Sequence, residues 1–234
     1  MNFLRGLFAL TLTLFLHSTL QAEYLYKDEL IFNPDFNASI DKIGSELHQK
    51  TGISLKLVML KELPKGTNIV DYEKESIKSF NEPTILLLFS ELDSKVDILA
   101  SSDSLYQYFD KKQVLSPVAS PLQAFIVALF YSSGLSSFKE IVTNYGGTII
   151  PLLAQKSKPE EVLGKYSGAM FNGYADIAEQ IAKNKNIVLD SAVGDANKNS
   201  IFVIKVIFYG FVFYAIFMYI KRQLYRRRQK NESK

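Results

Sequence analysis

The chain has 234 residues, 47% hydrophobic and 22% charged, with 27 Lys and Arg against 24 Asp and Glu and a formal net charge of +3 at pH 7. That is a globular composition, and so small a positive excess, most of it in the last residues, gives no footprint for a nucleic acid. No cysteine is present, which excludes disulfides, thiol catalysis, thiolate metal sites and haem attachment through cysteine.

Residues 1–22 hold one basic residue, Arg5, then an apolar stretch over 7–16, then small and polar residues ending at Ala22. This is the pattern of a secretory signal peptide, with cleavage expected before Glu23; an uncleaved anchor is the alternative. Residues 23–36 mix aromatic and charged side chains and close on Asn33-Pro34-Asp35, an extended lead-in followed by a turn. Over 37–51, Ile40, Ile43 and Leu47 fall three and four apart. The spacing predicts a helix started by Asn37 or Ser39 and ended by Gly52. ISLKLVML, 53–60, reads as a strand covered on both faces. Leu63-Pro64-Lys65-Gly66 breaks the chain, and 71–80 predicts a short, mostly polar helix.

The stretch 81–101, NEPTILLLFSELDSKVDILAS, places two strands, 84–89 and 96–100, around a short acidic turn, so the pair is expected to be antiparallel. Asp93 and Asp97 lie four apart across that turn and can converge on a cation, joined by Glu91 or Asp103. The alternative for these acids is a solvated turn.

After Asp110 the chain changes character. Pro117 and Pro121 bracket a loop, and PLQAFIVALFY is an apolar run too short to cross a membrane. A buried core helix is the first expectation, and a docking or lipid-facing surface carried by Phe125 and Phe130 is the alternative. In the helical text that closes the domain, Tyr174, Ile177, Ala178 and Ile181 make one apolar face. Residues 191–200 read as a polar tether, and 201–220, IFVIKVIFYGFVFYAIFMYI, as a transmembrane helix: about 20 residues at about 1.5 Å each match the hydrocarbon thickness. The basic run that follows, in the tail 221–234, is expected to stay in the cytoplasm, with residues 23–190 on the other side. His17 falls in the leader; His48 is expected at a solvent edge, with no triad or metal site around it.

The order helix, strand, helix, strand, strand, helices describes an α/β domain with a small mixed sheet. Three passages together resemble the TPM domain family: ELHQKTGISLKLVML, EPTILLLFSELDSKVDIL, and IIPLLAQKSKPEEVLGKYSGAMFNGYADIAEQIA. The resemblance covers about 39–184, with an apparent insertion at 116–147. It implies a three-layer α/β/α sandwich, export, one C-terminal transmembrane helix, and acidic residues near the hairpin that hold calcium in a metal-dependent phosphatase. At the matching positions this chain departs from the family: Asn81-Glu82-Pro83 stands for Asp-Asn-Gly, Asp93-Ser94 for Asp-Arg, and Ser101-Ser102-Asp103-Ser104 for a glycine-rich stretch.

Two functions are therefore expected. The first is a noncatalytic accessory domain on a bacterial inner membrane, facing the periplasm and assisting an envelope or membrane protein partner, with Phe125 and Phe130 as partner-binding candidates. The second is a calcium-dependent phosphatase acting outside the cytoplasm, with metal ligands Asp93, Asp97 and Asp103.

Overall fold

The computed structural model describes the backbone of residues 24–191 and 194–232, and the side chains of 24–191 and 206–225. The signal peptide expected at 1–22 lies outside the described residues.

The fold is α/β. Strands β1 (Leu25–Asp28), β2 (Ser54–Leu60), β3 (Thr84–Ser90) and β4 (Lys95–Ala100) form one sheet in the order β1-β2-β3-β4. The first three run parallel and β4 returns antiparallel, with Leu88 opposite Asp97 and Ser90 opposite Lys95. Every residue of β2 and β3 is buried. That is why TILLLFS carries no alternation: it has a packed layer on each side, and each large side chain so buried stabilises the fold by about 1.5–3 kcal/mol.

On one face, Leu55, Leu57, Met59, Ile85, Leu87 and Phe89 pack against two long helices. The first, α1 (Pro34–Thr51), supplies Ile40, Ile43 and Leu47, as the spacing predicts. Its start lies further back than expected: Asn33 caps it by accepting from the Asp35 N–H at 2.9 Å, and Pro34 fills the first turn, where no N–H is needed. On the other face, Val58, Leu60, Leu86 and Leu88 pack against Ile69, Tyr72 and Ile77 of α2 (Ile69–Ile77). Both connections, β1-α1-β2 and β2-α2-β3, step the same way across the sheet, yet their helices cover opposite faces. The two crossovers are therefore of opposite hand, and one belongs to the rare left-handed kind.

Beyond β4 a 3₁₀ turn (Asp103–Tyr108) and the single-turn α3 (Lys111–Val114) lead to a helical hairpin, α4 (Pro121–Tyr131) and α5 (Leu135–Thr143). After the short α6 (Ile150–Leu153), α7 (Val162–Asn184) returns over the sheet beside α1. Tyr174, Ile177, Ala178 and Ile181 of α7 are all fully buried, and the Tyr174 hydroxyl donates to the Leu55 carbonyl at 2.7 Å.

A separate unit is formed by the single helix α8 (Gly194–Glu232). The tether expected over 191–200 is thus already helical from Gly194. Its described side chains, 206–225, are exposed, and those up to Ile220 are mostly large and apolar. Among the described residues no helix is long and apolar enough to cross a membrane; the side chains of 201–205, the start of the apolar run at 201–220, lie outside them.

Candidate functional site

The acidic turn is built into the scaffold. Asp93 follows β3, and its Oδ2 accepts from the Ser90 hydroxyl at 2.6 Å and from the Leu63 N–H at 2.8 Å, tying the β3-β4 turn to the loop after β2. The Ser90 hydroxyl first, then the Leu63 N–H, hold its carboxyl below the usual range. Asp97 lies within β4, where Oδ1 meets the Lys111 ammonium of α3 at 2.6 Å. Asp103 is exposed at the start of the 3₁₀ turn. Among the described residues no three His, Cys, Asp or Glu side chains come together as metal ligands, so Asp93, Asp97 and Asp103 do not form such a group. His48 is half-buried, its Nε2 3.7 Å from Glu82, which also lies 3.8 Å from Lys56.

A carboxyl not expected from the sequence sits behind Asp97. Glu73, in the middle of α2, is fully buried, and neither of its oxygens accepts a hydrogen bond. Burial first and the Asp97 charge second push its pKa up to about 8, against a smaller opposing pull from Lys111. The neutral acid therefore prevails at pH 7, and its proton can bridge to Asp97. One signal could have found it: Ile69, Glu73 and Ile77 are spaced four apart, so Glu73 shares the face that α2 turns to the sheet.

The expectation that PLQAFIVALFY is core does not hold. It forms α4, where only Ala124 and Ala128 are buried, while Leu122, Phe125, Ile126, Leu129, Phe130 and Tyr131 are exposed. Phe130 is 75% exposed, and Leu135, just past the turn, 91%. Phe125 touches the ring of Phe138 on α5 edge-on, centroids 6.2 Å apart. The sheet has no room for this helix because α1 and α7 already cover that face and α2 the other. An apolar run alone cannot reveal that its place in the core is taken.

The hairpin is rooted firmly. The Gly146 and Gly147 N–H groups both donate to the Val118 carbonyl, at 2.8 and 2.9 Å, and the Ser116 hydroxyl donates to the Asn144 carbonyl at 2.6 Å. Gly147 is required by close approach, since a Cβ there would lie 1.7 Å from the Ser116 carbonyl oxygen. Gln113 donates to the Gly146 carbonyl and, at 3.2 Å, to the Asp176 carboxylate of α7. Beside this root runs an open groove of about 750 Å³ with apolar walls from Leu115, Val118, Val127 and Ile141, and Lys112 and Glu140 4.0 Å apart on its rim.

Compared with known proteins, the chain matches no family model and no curated sequence.

Proposed function

We propose that this chain is a membrane-tethered, noncatalytic interaction domain of TPM-like build, a three-layer sandwich held by one C-terminal span at 201–220. In this reading residues 23–190 face the periplasm, the tail 221–234 lies in the cytoplasm, and the domain assists assembly, stability or repair of an envelope or membrane protein complex. The observation that carries it is the hairpin: a rooted pair of helices with a large apolar surface, Phe125 and Phe130 included, left uncovered on a body whose own core is complete. The acids give support from the other side. Asp93 and Asp97 are engaged in holding loops and helices to the sheet.

Crosslinking of the intact protein in its native membrane, followed by identification of what it holds, tests this. A specific membrane or envelope protein is the expected product. If none is recovered, and deletion leaves the membrane complexes unchanged, the proposal fails.

A further inference from the structure

Apart from the Phe125–Phe138 ring contact, burial on α4 is the reverse of what water favours. A helical pair that faces water buries its large apolar side chains between the helices and turns polar ones outward. Here the buried positions of α4 are Ala124 and Ala128, and its exposed side chains include Leu122, Ile126, Leu129 and Phe130. Small residues buried and large apolar ones outside is the arrangement helix pairs adopt where the surrounding solvent is lipid. The charge pattern agrees. Not one residue from Gln113 to Phe138 is charged, so α4 and the turn into α5 carry no charge of their own to be stripped of water on entering lipid.

We propose that the outward face of α4 and the turn into α5 insert into one leaflet of the membrane. The inference rests on the membrane-tethered reading above and names what covers its exposed surface. α4 has 11 residues, about 16 Å of helix, too short to span a bilayer and suited to lying in its interface. α5 then lies above α4. Leu135 dips with the turn, and Lys139 and Glu140, about one helical turn further on and both exposed, reach the headgroups and water. These two charges cancel, so insertion is driven by apolar burial and does not require an anionic lipid.

Because the chain has no cysteine, a single probe can be placed anywhere without background. The full-length protein is reconstituted in vesicles of zwitterionic phosphatidylcholine, with and without anionic phosphatidylglycerol. It carries Phe130→Cys, Ile126→Cys, Lys139→Cys or, as a marker of the C-terminal helix, Tyr209→Cys, each labelled with an environment-sensitive fluorophore. Unchanged thermal melts first establish that each labelled variant is folded. Probes at 126 and 130 should be quenched by spin-labelled lipid at a depth of about 5–10 Å and protected from aqueous iodide, in both lipid compositions. The probe at 139 should remain open to iodide. If 126 and 130 stay open to iodide while 209 is quenched by lipid, the hairpin proposal is wrong and the tethered reading survives. If 209 is not quenched, the tethered reading fails, and 126 and 130 decide the hairpin by themselves. Protection at 126 and 130 only after a native-membrane protein is added, without quenching by lipid, overturns insertion in favour of a protein occupant.

Discussion

Replacing Glu73 with Gln tests the electrostatics of the sheet's α2 face. In the folded chain burial, and then the Asp97 charge, push this carboxyl up to about 8 from its ordinary 4.5. Between those two values the native state holds a proton that the unfolded chain has released. Stability must therefore fall as pH rises across this window, by up to about 1.4 kcal/mol per unit. The integrated loss by pH 8 is about 4 kcal/mol, a large share of the 5–15 kcal/mol that holds a typical domain together. Glutamine has nearly the same shape, carries no titrating proton, and can still donate to Asp97. Urea unfolding of the full chain in mild detergent, followed by tyrosine fluorescence, reads the effect. The two proteins should have similar midpoints at pH 5, where Glu73 is neutral in the folded state. By pH 8 the wild type should have lost several kcal/mol relative to Glu73→Gln. Every other titrating group acts on both curves, so the difference isolates this one. Parallel curves from pH 5 to 8 would refute the claim that Glu73 is buried as a neutral acid.

Gly147→Ala should cost about 2 kcal/mol or more in thermal unfolding, because the new methyl collides with the Ser116 carbonyl and one stem of the hairpin must shift. The double change Phe125→Ser and Phe130→Ser should leave stability within about 1 kcal/mol of wild type, since both side chains are at least half exposed; a collapse of the fold would show that they belong to the core after all. Asp93→Ala should lower the melting temperature equally with and without millimolar calcium, because what it removes is the tie to Ser90 and Leu63. A calcium-dependent rise in the wild type's melting temperature that vanishes in Asp93→Ala would instead point to a metal at that turn.

The sheet was legible because strand and helix periods write themselves into the order of apolar residues. ISLKLVML and TILLLFS declare two-sided burial, and Ile40, Ile43 and Leu47 declare one face of a helix; all lie where those patterns place them. β1 shows in the sequence only as an extended lead-in, since four residues are too few to show a period. The acids misled for a different reason. Sequence spacing brings Asp93 and Asp97 close, but Asp93 is at the turn and Asp97 within the strand, where each finds a separate partner on another element. Glu73 lay hidden because an isolated carboxylate among polar neighbours looks solvated until the sheet is placed beside it. The apolar run of α4 carried the right composition for a core, and only the count of helices already on the sheet shows it is surplus.

That surplus is the main reason to look for function at the hairpin. The acidic residues considered as ligands are mostly committed: Asp93 holds two segments, and Asp97 holds Lys111 and faces Glu73. A cation at either would compete for a carboxylate that already positions the sheet's end, and the neutral Glu73 beside Asp97 would have to lose its proton while fully buried. The apolar face of α4 has no such commitment. Its root is clamped to Val118, Asn144 and Asp176 by polar bonds that do not involve the outward side chains. The surface can therefore be covered, whether by lipid or protein, without unmaking any contact that stabilises the domain. A site whose occupation costs the fold nothing is where binding energy remains available for association.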